Sequence, residues 1–439
     1  MFSTRLVFLR GQTPNVRGQT LNVRSLTPYV RSLTPWATLA CASAAAVALF
    51  ALGVICSQPA ALHGQERPRA RDLGVPFEGR PGRHNAITDV DGVTVGHATI
   101  ITGDGRLVVG KGPVRTGVTA VVPRGGDTLQ TASFAGWFSL NGNGEMTGTT
   151  WIEESGFLEG PILITNTQSV GVVRDAATAW RARHGLPDPS GFQWSLPVVG
   201  ETWDGYLNDI KGMHVKSEHV FRALEEARGG SVLEGSVGGG TGTVCFGFKG
   251  GIGTASRRIQ SKIGGYTVGV LLQANFGLRA QLRVAGVPVG LEITEDDIRS
   301  DSGPDAAETG SVIVVVATDA PLLPHQLKRL ARRVSLGLAR TGAMSGNGSG
   351  DIFVAFSTAN PEAFAATGLV TVGMLPNEQI SPLFDATVQA TEEAVINALI
   401  AADTMTGIDG RRVIGLPHER LRQVLRKYNR IAGSSSPGS

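Results

Sequence analysis

Ser311 follows Gly310 directly and opens an uncharged run, residues 311–318 (SVIVVVAT), in a chain of 439 residues. A serine so placed has a plain explanation, in which glycine ends a loop and serine begins a strand. Three other segments change its weight. Residues 236–257 hold eight glycines, which would let backbone N–H groups line a pocket. LLQANFG ends an apolar run with Asn275, a neutral side-chain donor. TGAMSGNGSGD sets Ser345, Asn347, Ser349 and Asp351 in a glycine-rich turn before another apolar run. Together these are the groups acyl transfer needs, because attack on an amide creates an oxyanion that preorganised N–H donors must meet.

The base is the harder question. The chain has no G-x-S-x-G, H-E-x-x-H or C-x-x-C pattern. His97, His214 and His325 occur singly and read as structural residues. One solution is a serine at a chain terminus, whose own α-amino group sits beside Oγ. That amine has a pKa of about 8 and is partly neutral near pH 7, so it can accept the proton. The solution requires cleavage before Ser311, and Gly310 carries no side chain to obstruct an N→O acyl shift.

These groups must be carried by alternating strands and helices. ITDVDGVTVGHATI alternates apolar and polar residues around Asp91-Gly92 and predicts a hairpin. GVTAVVPRGG reads as a short buried strand. PILITNTQSVGVVRDAATAWRARHG reads as a strand, a polar loop at 166–169 and a helix. YTVGVLLQANFG, GSVIVVVATDAPLLP and GSGDIFVAFSTAN read as apolar strands. PHQLKRLARRVSLGLAR spaces Leu327, Leu330, Ala331, Val334, Leu336 and Leu338 as one apolar face of a helix. DATVQATEEAVINALIAAD predicts a last helix, and the tail IAGSSSPGS a segment without structure. ERPRARDLGVPFEGRPGRHN reads as an extended arm. The alternation gives an α/β (α+β) class and one catalytic domain over residues 66–439.

Residues 1–65 stand apart. A basic tandem repeat without acidic residues runs to Thr34, and an uncharged apolar stretch follows over residues 36–56. Positive flank, apolar centre and small-residue exit describe a signal peptide, with an uncleaved signal anchor as the rival. Either places the body outside the cytoplasm, periplasmic or secreted, with membrane attachment only through residues 36–56. Over the whole chain 40 basic residues stand against 37 acidic ones, and no basic run outside the N-terminus offers the concentrated basic face of a nucleic-acid binder. Of Cys41, Cys56 and Cys245, only the last lies in the body, so no internal disulfide holds the fold and Cys245 reads as a small buried hydrophobe.

Ordered stretches from about Arg69 to Asp403 resemble the DmpA-type L-aminopeptidase/D-esterase-amidases, a family that includes β-peptidyl aminopeptidases. Among them are RARDLGVPFEG, NAITDVDGVTVGH, LNGNGEMTG, ITNTQSVGVVRDA, PVVGETWDGYLND, GGGTGTVCFGFKGGIGTASR, LLQANFG and GNGSGDIFVAFSTAN. The resemblance implies an αββα sandwich similar to N-terminal-nucleophile hydrolases, with different connectivity. It implies self-cleavage between Gly310 and Ser311 into chains 66–310 and 311–439 that stay associated, and assembly into a homo-tetramer. Ser311 would be the nucleophile, Asn275 an oxyanion donor, and Ser349 and Asp351 would hold Ser311 and its ammonium. Trp203 or Tyr206 matches an aromatic position beside the site. Glu201 is either a partner for the substrate's amino group or, like Asp204, a turn residue, and Asn166 lies near the pocket with no assigned task. The substrates implied are small peptides, amides or esters, with no cofactor and no metal. Two alternatives remain: an ornithine acetyltransferase-like acyl transferase, disfavoured by serine where those enzymes use threonine, and a non-catalytic exported protein whose glycine-rich loops cradle an anionic ligand.

Overall fold

In the run that follows Ser311, alternate side chains enter two different cores. Ile313, Val315 and Ala317 pack into one cluster, while Val312, Val314 and Val316 pack into another. A strand buried on both faces needs no polar alternation, which is why this run reads as continuously apolar. The computed structural model describes residues 67–126, 130–185, 194–260, Lys262, 264–298, 309–365 and 367–431. The basic repeat, the apolar segment 36–56, Glu308 and the tail from residue 432 lie outside the described residues. So do the expectations attached to them.

Two sheets carry the molecule. The smaller has the order β1 (Thr94–Thr102), β2 (Val114–Val122), β5 (Ile162–Asn166), β6 (Val198–Thr202), and only β5 and β6 run parallel. The larger has six strands: β4 (Phe157–Leu158), β3 (Ser133–Gly142), β12 (Gly348–Ser357), β11 (Thr309–Thr318), β10 (Thr267–Asn275) and β9 (Gly251–Arg258). Within it β11 and β12 are parallel and the other pairs antiparallel. A small ribbon, β7 (Val244–Cys245) and β8 (Phe248–Lys249), precedes β9.

The helices complete four layers. α2 (Val170–His184) and α3 (Ser217–Glu225), after the short α1 (Thr149–Ser155), share a core with Val118, Ala120, Leu163 and Val199 of the smaller sheet. After the single turn α4 (Val289–Glu292) come α5 (Pro324–Arg340) and α6 (Ser381–Ile400). A last ribbon, β13 (Met405–Thr406) and β14 (Arg412–Val413), leads to α7 (His418–Lys427). α5, α6 and α7 share a core with Val270, Leu272, Val314 and Phe353 of the larger sheet. A third cluster takes residues from both sheets, including Ile162, Ile164, Leu271, Ile313 and Val354, and so fills the space between them. The order is therefore α, β, β, α, as expected.

Three local expectations change. There is no hairpin at Asp91-Gly92: residues Ile87–Asp89 form a 3-10 turn and only Thr94–Thr102 is strand. The Asp89 carboxylate accepts from the backbone N–H groups of His84 and Ala86 and from Ser256 Oγ, which coils the segment and leaves Ile87 in the inter-sheet core. Leu336 is exposed, and Gly337 takes its place against α6, where a Cβ would meet Thr391 at 2.5 Å. The arm is also less extended than expected. It turns at residues 70–74 and is strapped down by Arg69 to Glu234 and Arg71 to Glu393.

Candidate active site

Strand parity brings the reactive side chains together. On β11 the odd positions face the inter-sheet space, so Ser311 shares the face of Ile313. On β10 Leu271 faces that space while Val270, Leu272 and Ala274 face the helices, so Asn275 points the same way as Ser311. The two are direct partners in the β10–β11 register. Cross-strand partners lie within about 5.5 Å at Cβ, which brings the Asn275 amide close to the hydroxyl.

A cavity of about 580 Å³ opens above this pair, with Gly310, Ser311 and Asn275 in its wall. The end of β6 supplies Glu201, Trp203 and, just beyond, Tyr206; Asn143, Thr167, Val244, Ile298 and Gly348 complete the lining. Ser311 is buried, and its Oγ accepts from the Trp203 backbone N–H at 3.3 Å. Trp203 itself is half exposed and forms part of the rim. Tyr206 is held by Arg411, whose guanidinium lies 5.2 Å from the ring centroid. Val244 donates its N–H to Asn275 Oδ1 at 2.9 Å, which fixes the amide and leaves its nitrogen as the donor edge.

Glu201 is a buried carboxylate in the same wall. Oε1 accepts from the Glu145 N–H at 3.0 Å, and Oε2 accepts from Thr167 Oγ1 in a short hydrogen bond. Gly144 permits this approach, since a Cβ there would meet Glu201 Oε1 at 3.2 Å and the Gly350 Cα at 3.0 Å. Burial pushes the carboxyl above the usual glutamate range, and the two hydrogen bonds pull in the opposite direction. Burial therefore disfavours the ionised form, and a ligand cation placed beside it would favour that form.

Other expected residues sit differently. Ser349 pairs with Gly310 and Asp351 with Val312 in the parallel register, so they flank the nucleophile without lining the cavity. Ser349 Oγ donates to Asp351 Oδ1 at 2.7 Å, and a β-bulge follows Asp351, a device that re-aims side chains. Asn166 does not line the cavity. Its side chain accepts from Gln168 N and donates to Thr116 Oγ1, so it is a turn cap, and Thr167 takes the position in the wall.

Within the glycine-rich segment, Gly238 and Gly239 do not offer their N–H groups to the cavity, whereas Val244 lies in its wall. Gly238 and Gly239 donate to Thr99 Oγ1 and Thr119 Oγ1, and a Cβ on Gly239 would meet Gln273 Oε1 at 2.1 Å. Gly238 and Gly239 therefore serve close packing between layers and do not form an anion cradle. Cys245 is buried, and His97 is a partly buried residue bonded through Nδ1 to Thr119 Oγ1, its pKa lowered to about 4 by loss of solvent around the ring. Thr167 and Val244 had no sequence signal: one acts through a hydroxyl in a polar loop, the other through a backbone N–H that any residue carries. Among the described residues no cluster of His, Cys, Asp or Glu has the geometry of a metal site, and no helix is long and apolar enough to cross a membrane.

The model of peptidase family S58 matches residues 85–413. The chain belongs to that family. It is 55% identical over 379 residues to the beta-peptidyl aminopeptidase BapA of Sphingosinicella microcystinivorans, covering 84% of this chain and 94% of that one. Among solved structures it is similar to the L-aminopeptidase D-Ala-esterase/amidase of Ochrobactrum anthropi, a serine aminopeptidase described as a variant of the Ntn-hydrolase fold. That similarity has 47% identity and a TM-score of 0.76, over 83% of this chain and all of that one. A Burkholderia sp. beta-aminopeptidase matches at 48% identity and TM-score 0.73, over 82% and 99%. The αββα architecture is thus the Ntn-hydrolase-type fold of these aminopeptidases.

Proposed function

We propose that this protein is a self-processing serine aminopeptidase that releases N-terminal residues from small peptides, amides or esters. One observation carries the reading. Ser311 and Asn275 are cross-strand partners in the wall of a cavity that also holds the buried Glu201 carboxylate.

Maturation begins at Gly310–Ser311, which lies within β11. Ser311 Oγ adds to the Gly310 carbonyl, the C–N bond breaks, and the acyl group passes to oxygen. Water then hydrolyses the ester, leaving a Gly310 carboxylate and a free Ser311 amine. The new chain stays in place because β11 remains paired with β10 of one chain and β12 of its own.

In the mature site the free amine takes the proton from Oγ as it attacks the substrate carbonyl. The Asn275 amide faces the developing oxyanion. The amine returns the proton to the leaving nitrogen, an acyl-enzyme forms, and water releases the product by the same proton route. Glu201 receives the ammonium of the substrate's first residue, which makes the enzyme an aminopeptidase. Ser349 and Asp351 support the Ser311 end of β11. Export through the N-terminal segment is part of the same reading.

Acid quenching during turnover of a slow ester substrate tests it. Mass spectrometry should find the acyl group on the fragment that begins at Ser311. With a substrate whose deacylation limits turnover, an unmodified fragment throughout steady state would exclude the acyl-enzyme.

A further inference from the structure

A lysine lies buried behind the Asn275 wall. Lys249 is inaccessible to solvent, an uncommon place for an ammonium. It is the register partner of Val244 in the β7–β8 ribbon. Nζ donates to the carbonyl oxygens of Gly240 at 3.2 Å and Gly250 at 2.8 Å. The Gly240 carbonyl also accepts from Thr243 Oγ1 at 2.9 Å, and Gly250 donates its N–H to the Thr243 carbonyl at 3.0 Å. Three of these bonds end on the turn 240–243 that delivers the Val244 N–H to Asn275 Oδ1, and the fourth ties Nζ to Gly250, whose own N–H meets that turn.

We propose that Lys249 is a positioning residue for acyl transfer, clamping the turn at 240–243 so that Val244 holds the Asn275 amide with its nitrogen toward the reacting carbonyl. The proposal rests on the aminopeptidase reading of this site. Its physical basis is that an ammonium donating to two carbonyls forms stronger bonds than a neutral donor, and stronger still away from water. Burial pulls the ammonium down to about 7, against the favourable influence of the neighbouring Asp204 carboxyl. A carbon chain of the same length would fill this space without that penalty, so the charge needs a reason other than packing. Aligning a donor whose placement sets the barrier is such a reason, since donors act only when aimed at the oxyanion's position.

A double-mutant cycle on the mature enzyme tests this, with Lys249→Met, Asn275→Ala and the pair, each checked for a chain beginning at Ser311. Lys249→Met should lower kcat roughly tenfold with KM within about twofold, and should have almost no effect once Asn275 is alanine. Lys249→Gln, which keeps a donor, should recover part of the loss. Equal losses in both backgrounds, or a change in KM alone, would overturn the proposal and leave Lys249 a structural residue. If Lys249→Met gives no folded protein, Thr243→Val removes the other donor to Gly240 and is judged by the same cycle. Failure of the underlying reading looks different: wild-type protein would then be uncut, or would hydrolyse no substrate.

Discussion

Replacing Glu201 by Gln keeps the shape of the side chain and removes its charge. In the structure both carboxylate oxygens are occupied by donors, Glu145 N and Thr167 Oγ1, and the group is buried in the cavity wall. A hydrogen bond to a charged partner contributes about 1.5–3 kcal/mol, or about 10- to 150-fold in kcat/KM. The assay is steady-state hydrolysis of one acyl group in two forms, with the amino group free and with it acetylated. Glu201→Gln should lower kcat/KM for the free amine within that range and leave the acetylated compound unchanged. The variant should still cut before Ser311, because Gly310 presents no ammonium during maturation. The wild type should show a matching pH dependence. Burial raises the Glu201 carboxyl, so its charge is lost as pH falls through a value above the ordinary glutamate range. KM for free-amine substrates should therefore climb on the acid side earlier than a solvent-exposed glutamate would allow. An equal loss on both substrates would refute the assignment and make Glu201 a structural member of the wall.

Asn275→Ala should lower kcat by about 10²- to 10³-fold with little change in KM, because the oxyanion donor acts in the transition state; an unchanged kcat would remove Asn275 from the mechanism. Asp204 is buried, and that burial pushes its carboxyl up to about 7 against the opposing influence of Thr116, Asn208 and Lys249. Its folded-state pKa lies above the unfolded value of 3.8, so its contribution to stability is full below that value and lost as pH rises through about 7. Asp204→Asn should therefore gain stability relative to wild type between pH 4 and 8, on the order of a few kcal/mol with part offset by the unpaired Lys249 charge. A stability difference that stays flat with pH in denaturant titrations would contradict this. Gly253→Ala places a Cβ at 1.9 Å from the Ala394 carbonyl oxygen, and a lowered melting temperature should report about 1–3 kcal/mol of overpacking between β9 and α6.

Most of the frame was legible because it follows from periodicity. The run after Gly310 is apolar at every position since both faces of β11 are covered, and α5 begins and ends where its apolar spacing does. The Asp91-Gly92 signal misled because turn chemistry is local. Ile87 answers instead to the inter-sheet core, and the Asp89 carboxylate supplies the bonds that coil the segment. In the site, Ser311 and Asn275 were readable as strand-end polar residues. Glu201 was balanced between a turn role and a site role, and its burial with two donors is visible only in three dimensions. Glycine abundance at 236–257 suggested N–H groups for a ligand, yet the same residue type also allows layers to touch, as Gly239 does against Gln273. Lys249 sat unnoticed among those glycines because a charged residue in a loop reads as solvated.

The measurement that bears most directly on the whole account is the intact mass and N-terminal sequence of the purified protein beside Ser311→Ala. The wild type should yield two chains, one beginning at Ser311, and the variant should remain whole. A folded, active wild type that stays continuous through Gly310–Ser311 would contradict the account, because Ser311 would then have no α-amine to serve as its base.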